Sequence, residues 1–299
     1  MKALIIALLT AATLLAQHFP LTDAHNCYPY EGQWKNRIDR ALATGFPVAI
    51  EQDIGFWNGK AVVTHTDKTT GSEPTLRDHF FERVRPIVEQ ALKDNHRDQW
   101  PLIVLHFDFK DLRPVTLQAV WEVLGEYESW IATAPKTADP TTLSAFDMKP
   151  ILVLTEDADV QEEVFFNEVP VGGKLKVFGS GHTNVIVPPT NYRRWLNYSW
   201  HAVEPEGQPK AGDWTAADAA RLRALVDGAH KLGYWIRFYT LDGFTPEQSQ
   251  GWLDQYNFGS RAAVTVRWKA ALDAGVDLIA SDQYEDLAAF LRDTRRQPR

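Results

Sequence analysis

The sequence predicts a single (β/α)8 barrel, and two observations carry this prediction. Eight short β-rich segments recur along the chain, and helical patterns lie between most of them. Strands that alternate with helices indicate parallel βαβ units, and eight such strands favour a closed barrel over an open sheet. The chain has 299 residues, and about 280 would remain without its first 16, which is close to the length of one such barrel.

The strand candidates set the order of the elements. In chain order they are LTDAHN, FPVAIEQDI, PLIVLHFDF, PILVLT, LKVFGS, YSWHAV, YWIRFYTL and VDLIASD. The segment KAVVTHT is a further short strand, which we interpret as an excursion after the second barrel strand. The segment GHTNVIVPPTNYRRW is expected to be an irregular loop, so the middle of the chain fits the barrel pattern least well.

The helical segments carry start and stop signals. QWKNRIDRALATG ends in Gly45, as expected of a C-cap, and TAADAARLRALVDGAHKLG begins at a capping threonine and also ends at a glycine. The segment EDADVQEEVFFNEVPVGG is compatible with a further helix. The remaining helical segments are LRDHFFERVRPIVEQALKDNH, LRPVTLQAVWEVLGEYESWI, RAAVTVRWKAALDAG and EDLAAFLRDTRR.

The N-terminal residues have the pattern of an export signal. One lysine precedes an apolar run from Ala3 to Ala16, which is shorter than the roughly 20 residues needed to cross a bilayer. We therefore expect residues 1–16 to be a secretory signal peptide, with a short buried helix as the alternative. The barrel domain would then comprise residues 17–299, would be secreted or periplasmic, and would have no transmembrane segment.

The composition excludes several classes of protein. The formal net charge is −8 and no stretch is strongly basic, so nucleic acid is not an expected partner. The single cysteine, Cys27, excludes an intramolecular disulfide. We expect it to be a small buried residue rather than a nucleophile. We expect the protein to be a monomer.

Polar side chains gather at the ends of the first three barrel strands. Residues i and i+2 of a strand point to the same face, so each strand presents its polar groups together. In a barrel, the carboxyl ends of the strands form the face that carries active sites. The residues expected there are His25 and Asn26 from the first strand, Glu51 and Asp53 from the second, His65 from the excursion, and His106, Asp108 and Lys110 from the third.

These residues also have ordinary structural interpretations. A lone histidine is usually structural or solvated, and Asp108 next to Lys110 could form a surface ion pair. Two acids that converge on one barrel rim, however, repel each other, and the repulsion destabilises the fold or raises a pKa unless a cation is present. Carboxylates and an asparagine amide are hard oxygen ligands, which suit calcium or magnesium.

The motifs AHNC, IEQDIGFWNGKAVVTHTD and HFDFK resemble those of the phospholipase C-like phosphodiesterases. This superfamily includes glycerophosphodiester phosphodiesterases and phosphatidylinositol-specific phospholipases C. Its members are TIM barrels with a histidine at the end of the first strand, an E-x-D pair on the second, and another histidine about a dozen residues on. WIRFYTLDG and AGVDLIASDQYEDL resemble the last two strands of the glycerophosphodiesterase branch. The resemblance spans residues 22–292 but is poor between 140 and 230.

The resemblance implies a set of roles for residues of this chain. His25 and His65 would be the catalytic acid–base pair, in which one histidine activates or orients the attacking hydroxyl and the other protonates the leaving oxygen. Lys110, Arg237 and Tyr239 would contact the substrate. His106, which lies deeper on the third strand, is interpreted as a packed histidine.

The same resemblance implies a divalent cation, Ca²⁺ or Mg²⁺, bound by Asn26, Glu51, Asp53 and Asp108. HNC stands where the glycerophosphodiesterase branch usually has His-Arg-Gly, and the phospholipase branch often has His-Asn there. Asp108 stands where many relatives have glutamate. Because the chain mixes features of both branches, the expected substrate is either a phospholipid head group or a glycerophosphodiester, cleaved by a secreted phosphoric diester hydrolase.

Two other functions fit parts of the sequence. Eleven tryptophans and nine tyrosines would suit the sugar cleft of a secreted glycoside hydrolase. Glycosidase carboxylates lie about 5–9.5 Å apart on opposite sides of a bond, whereas Glu51 and Asp53 share one strand face. A non-catalytic barrel that binds sugar or lipid is the third possibility, and the presence of both histidines with the acids disfavours it. Zinc amidohydrolases are disfavoured because His-x-His is absent, and G-x-S-x-G and P-loop motifs are absent too.

Overall fold

In a computed structural model, which describes residues 20–30, 34–249 and 254–296, eight parallel strands close into a barrel. The strands of the chain are β1 (Leu21–Ala24), β2 (Val48–Trp57), β3 (Lys60–Val63), β4 (Ile103–Phe109), β5 (Ala134–Pro135), β6 (Ile151–Thr155), β7 (Lys174–Leu175), β8 (Phe178–Ser180), β9 (Arg193–Ser199), β10 (Trp235–Tyr239) and β11 (Leu278–Ser281). The barrel runs β1, β2, β4, β6, β8, β9, β10, β11, and β11 pairs with β1. The (β/α)8 prediction is confirmed.

The helices cover the outside of the barrel. They are α1 (Arg37–Ala43), α2 (Glu82–Asp94), α3 (Pro114–Glu126), α4 (Asp159–Glu162), α5 (Ala216–Leu232), α6 (Pro246–Ser249), α7 (Arg261–Ala274) and α8 (Tyr284–Arg296). A π-helical turn, residues 77–81, leads into α2, and another, residues 163–167, extends α4. Within the described ranges, no helix has the length and apolar character needed to cross a membrane. The expected signal peptide, residues 1–16, lies outside those ranges.

Local sequence signals explain the helix ends. The Thr215 hydroxyl accepts a hydrogen bond from the backbone N–H of Asp218, whose carboxylate binds the Thr215 backbone in return, and this capping box starts α5. The same helix ends at Gly233, which has φ of +94°. Because a left-handed conformation suits glycine, the residue terminates the helix without strain.

The excursion after the second barrel strand is a β-hairpin. β3 runs antiparallel to β2, with Ile54 opposite Val63 and Trp57 opposite Lys60. The hairpin extends β2 beyond the barrel and then returns the chain towards it. Residue His65 follows directly, so the hairpin brings it back to the carboxyl end of β2.

The sixth barrel strand lies earlier in the chain than predicted. YSWHAV was the strand candidate, whereas β9 ends at Ser199 and residues 200–202 form a 3₁₀ turn. β9 begins with two arginines, and such a sequence is more typical of a loop than of a strand. Arg193 is nevertheless buried, because it forms ion pairs with Asp159 and Glu162.

The crossover from β8 to β9 has no helix in residues 181–192, all of which are described. This agrees with the irregular loop expected there. The crossover passes along the outside of the barrel, and its three consecutive apolar residues 185–187 are exposed. The helical layer is therefore incomplete at this position.

Two groups of buried apolar side chains stabilise the barrel from the helix side. One lies under α2 and α3, where Phe81 stacks on Tyr127 with ring centroids 4.2 Å apart. The other lies under α5, α7 and α8 and includes Trp200 and Trp268, both fully buried. Because these groups bury the apolar surface on the outer side of the strands, polar side chains can occupy the inside of the barrel at its carboxyl end.

Candidate active site

The register of the strands places the predicted acids side by side. β2 pairs with β4 so that Glu51 lies beside His106 and Asp53 beside Asp108. Parallel neighbours in register present the same face at the same height. The acids of the second and third barrel strands therefore meet at the carboxyl end of the barrel, as predicted.

Three carboxylates form a cluster there. One oxygen each of Glu51, Asp53 and Asp108 lies within 4.8 Å of the other two. Asp53 is fully buried, and neither of its oxygens accepts a well-formed hydrogen bond from a described residue. Burial, followed by the negative charge of Asp108, raises the pKa of Asp53 well above its usual value. The three carboxylates offer oxygen ligands only, and such ligands suit a hard divalent cation.

Lys110 provides the nearest positive charge. Its Nζ lies 2.7 Å from Oδ2 of Asp108 and 3.1 Å from Oδ2 of Asp53. Its backbone N–H donates to the carbonyl of Ile54 at 2.9 Å, which holds the end of β4 against β2. Asp108 and Lys110, which were expected together at the end of the third barrel strand, are therefore in direct contact.

His25 follows β1 and lies between two carboxylates. Its Nε2 is 3.5 Å from Oε1 of Glu51, and its Nδ1 is 3.7 Å from Oδ1 of Asp282. Burial disfavours the protonated ring, but the charge of Glu51 and the contacts with Asp282 outweigh burial and raise the pKa of His25 to about 9. The ring also stacks near Tyr239, with centroids 6.2 Å apart.

Asn26 contacts the other side of this histidine. Its Nδ2 donates to both oxygens of Asp282, at 3.0 and 3.1 Å, and lies 2.7 Å from Nδ1 of His25. Its backbone φ is +57°, which asparagine tolerates better than most residues. Arg37 holds Asp282 from behind, with an Nη2–Oδ1 distance of 2.7 Å. Asn26 thus orients its amide nitrogen towards Asp282 and His25, and its role as a metal ligand stays a prediction.

His65 approaches the cluster from the hairpin side. Its Nε2 lies 3.8 Å from Oδ2 of Asp53, and its ring stacks on Tyr28 with centroids 5.2 Å apart. Burial and the charge of Lys110 lower the pKa of His65. His25 therefore contacts the carboxylate cluster at Glu51, and His65 contacts it at Asp53.

Contacts with the Cys27 carbonyl fix the loop that carries His25. The Cys27 carbonyl accepts a hydrogen bond from the side-chain amide of Gln52 at 2.5 Å and lies 3.1 Å from Nε2 of His79. Cys27 itself is fully buried, and burial raises the pKa of its thiol. A buried thiol with a raised pKa is a poor nucleophile, in agreement with the structural role expected for Cys27.

His79 gives this region a pH-dependent stability. Burial lowers the pKa of His79 to about 4, whereas in an unfolded chain histidine has a pKa of about 6.5. The unfolded state therefore binds more protons between these values, and stability falls with decreasing pH by up to about 1.4 kcal/mol per pH unit. We expect His79→Gln to reduce this slope in urea unfolding measured from pH 7 to pH 5. The exposed His96→Gln should retain it, and an unchanged slope in His79→Gln would contradict the prediction.

Arg237 lies inside the barrel rather than at its mouth. It is 1% exposed, and its guanidinium donates to Asp23, Glu51 and Asn197, the last at 3.0 Å. All three nitrogens of the side chain are thus directed at protein groups. Arg237 fixes the position of Glu51, and its predicted contact with substrate stays a prediction.

Tyr239 lies above this arginine at the mouth. Its ring centroid is 5.5 Å from Cζ of Arg237, and the residue is half-buried. The predicted substrate contact is compatible with this position. Its pKa is raised by burial first and then by the charge of Glu156.

His106 is a packed histidine that also belongs to the site. It is 1% exposed and meets the ring of Trp195 edge-on, with centroids 5.0 Å apart. Its Nδ1 lies 3.4 Å from Glu51, and its Nε2 lies 2.7 Å from Glu156. Burial and the charge of Arg237 oppose protonation, but the hydrogen bond to Glu156 and the nearby carboxylate of Glu51 raise the pKa of His106 to about 9.

Three polar residues near the site were not predicted. Glu156 directly follows β6 and Asp282 directly follows β11, which is the strand-end signal already used for the first three strands. Asn197 donates to both oxygens of Glu156, at 2.9 and 3.1 Å. It was missed because the strand that carries it was placed too late in the chain.

Solved structures similar to this one include two glycerophosphodiester phosphodiesterases from Parabacteroides distasonis. The first is 12% identical with a TM-score of 0.52, over 93% of this chain and 98% of the other. The second is 12% identical with a TM-score of 0.44, over 92% and 87%. A Plasmodium falciparum HPPK-DHPS mutant with pteroate gives 12% identity and a TM-score of 0.46, over 94% of this chain and 49% of the other.

No family model matches the chain, and no curated protein sequence matches it either. The likeness to solved structures therefore consists of similar architecture at low sequence identity. At 12% identity, the first of these likenesses shows the fold alone. The chain has the barrel fold of a solved glycerophosphodiester phosphodiesterase.

Proposed function

We propose that the protein is a phosphoric diester hydrolase that uses a divalent cation, Ca²⁺ or Mg²⁺. The observation that carries the proposal is the placement of two histidines around three carboxylates at the barrel mouth. His25 lies 3.5 Å from Glu51, and His65 lies 3.8 Å from Asp53. An acid–base pair beside a cation site is an arrangement that can cleave a phosphodiester.

The two histidines transfer protons in this proposal. One accepts a proton from the attacking hydroxyl or orients it, and the other protonates the leaving oxygen. Imidazole suits both roles, because its ordinary pKa lies near neutral pH. The positions of the rings are held by neighbours, Asp282 and Asn26 for His25 and Tyr28 for His65.

Glu51, Asp53 and Asp108 are the residues that would hold the cation, with Asn26 as the further ligand expected from sequence. Their fit rests on the 4.8 Å cluster and on the buried Asp53, whose only close cationic neighbour among the described residues is the Lys110 ammonium, 3.1 Å from Oδ2 without good hydrogen-bond geometry. A divalent cation held there would stabilise the negative charge that develops on the phosphate group. Arg237 and His106 hold Glu51 in place beneath this position.

The substrate would bind at the mouth, between Lys110 and Tyr239. Lys110 supplies a positive charge for the phosphate, and the half-buried Tyr239 supplies a face for the group attached to it. The first similar structure is a glycerophosphodiester phosphodiesterase, and the sequence motifs also resemble phospholipases. We therefore propose a phospholipid head group or a glycerophosphodiester as the substrate class.

The carboxylate geometry disfavours the glycoside hydrolase alternative. A sugar-cleaving pair of carboxyl groups lies about 5–9.5 Å apart on two sides of the scissile bond. Here three acids have oxygens within 4.8 Å of one another, on neighbouring strands. They are placed to share one ligand rather than to enclose a sugar bond.

The proposal is tested with a panel of phosphodiesters, incubated with the purified protein in Ca²⁺, in Mg²⁺ and in excess chelator. We expect cleavage of at least one lipid or glycerol phosphodiester that chelation abolishes and added cation restores. Asp53→Asn should lower cation affinity, because it removes the buried charge of the cluster. Full turnover in excess chelator would contradict the cation requirement, and cleavage of glycosides alone would favour the alternative.

We also propose that the chain is exported and that residues 1–16 are removed in the process. The support is the length and composition of the apolar run from Ala3 to Ala16. Intact-mass and N-terminal peptide measurements on exported material should show a chain that begins near residue 17. A retained Met1 in that fraction would show that the segment is not a cleaved signal.

A further inference from the structure

Lys110 is placed where it neutralises part of the carboxylate cluster. Glu51 is already paired with Arg237, so Asp53 and Asp108 are the acids that depend on another positive group. The Lys110 ammonium lies 3.1 Å from one and 2.7 Å from the other. One ammonium thus faces two carboxylates and can neutralise only one of them when both are ionised.

The shortage of positive charge is most evident at Asp53. Its side chain is fully buried, and both oxygens lack a well-formed hydrogen bond from the described residues. Buried carboxylates without such partners are costly, so the group favours any ligand that meets it more completely. A divalent cation neutralises both aspartates, whereas one ammonium cannot.

The Lys110 side chain can also move away from Asp53 and Asp108. Its side chain is 22% exposed, and its backbone is fixed separately through the hydrogen bond to Ile54. A lysine is a point charge on a flexible stem, unlike the rigid guanidinium of Arg237. Departure of the ammonium from the aspartates therefore requires rotation of a side chain and no movement of β4.

We propose that Lys110 is an internal counter-ion of the cation site, paired with Asp53 and Asp108 until a divalent cation binds and releases it. The released ammonium stays at the barrel mouth, where it can pair with an anionic group such as a phosphate. Binding of the cation would thus place two positive groups at the barrel mouth, the cation itself and the Lys110 ammonium. This inference rests on the cation site of the proposed function.

Cation binding to Lys110→Met gives the first test. The variant retains the length of the side chain and removes the charge. Calorimetric titration of Ca²⁺ and Mg²⁺ into the full chain should show tighter binding than in the wild type, by about tenfold or more, because the competing ion pairs are absent. Lys60→Met, which removes an exposed lysine of the β2–β3 hairpin, should bind as the wild type does. Weaker binding in Lys110→Met would overturn the inference.

Chemical labelling gives a second test that needs no substitution. Reductive methylation of the wild-type protein, followed by peptide mass spectrometry, measures how accessible each lysine amine is. Saturating Ca²⁺ or Mg²⁺ should increase the labelling rate of Lys110 and leave that of Lys60 unchanged. This arm separates release of the ammonium from simple repulsion of the cation by a fixed charge, and it holds even if Lys110→Met fails to fold.

The outcomes distinguish this inference from the proposed function. If the wild type binds cation while Lys110 labelling stays unchanged or falls, release is wrong and the cation site stands. If no cation binds the wild type, both the inference and the cation-dependent mechanism are wrong. Tighter binding by Lys110→Met together with faster labelling of Lys110 in the wild type would support release.

Discussion

Replacing either His25 or His65 with alanine should reduce kcat by about 10²- to 10⁴-fold, the range typical of acid–base residues. Each ring lies next to the carboxylate cluster, 3.5 Å from Glu51 for His25 and 3.8 Å from Asp53 for His65. The double variant should lose little more than the worse single variant, because residues that act as a unit have non-additive effects. Steady-state kinetics on the best substrate of the phosphodiester panel measures these losses.

Two controls accompany the histidine variants. His96→Ala removes an exposed histidine and should leave kcat unchanged. His106→Ala removes a packed histidine, and we expect it mainly to reduce stability, because its ring fills space against Trp195 and pairs with two carboxylates. The assignment of His25 and His65 would be wrong if their variants kept full kcat while a folded His106→Ala lost it. Circular dichroism and calorimetric cation binding establish that each variant is folded and loaded.

The barrel could be predicted because the sequence pattern of each strand and helix is visible within a short segment of the chain. Each strand is a short β-rich segment between helical patterns, and the residue that follows the strand marks the functional face. Glu51 and Asp53 were grouped by their period of two, and pairing of β2 with β4 then brings Asp53 beside Asp108. No long-range information was needed for these residues, because consecutive strands of such a barrel are also neighbours in space.

The remaining contacts of the site join residues that are far apart in the chain. Arg237 is 186 positions from Glu51, and Asp282 is 256 positions from Asn26. A single sequence does not indicate which buried acid will form an ion pair with an arginine far along the chain. Arg237 was therefore interpreted as a substrate contact; the structure adds its ion pairs with Asp23 and Glu51, and the substrate contact stays a prediction.

β9 shows how a local pattern is overridden by tertiary contacts. Two adjacent arginines at its start are typical of a loop, but Arg193 is neutralised by two acids of α4, and Arg194 packs over the ring of Phe146 at 5.2 Å. Paired or stacked arginines can be buried in a strand. Because those partners lie elsewhere in the chain, the strand boundary was placed several residues too late, and Asn197 was missed with it.

Removing the charge of Arg237 should destabilise the protein by about 3–5 kcal/mol, the loss typical of breaking a buried ion pair from one side. Arg237 is 1% exposed and joins β10 to Asp23 of β1 and Glu51 of β2 across the barrel interior. In Arg237→Met those two carboxylates would be left buried without their partner. Urea unfolding monitored by tryptophan fluorescence measures the loss.

Two further variants decide between a structural and a substrate-binding role for Arg237. Arg237→Lys keeps the charge but cannot bridge two acids and Asn197 at once, so we expect an intermediate loss of stability. Arg113→Met breaks the pair with Asp111 on a side chain that is 64% exposed, and it should change stability far less than Arg237→Met does. If Arg237→Met unfolds at the wild-type urea concentration and raises only KM, the arginine binds substrate as the sequence suggested. If it lowers stability and cation affinity together, Arg237 acts by holding Glu51 in the cluster, because Glu51 both pairs with Arg237 and belongs to the cation site.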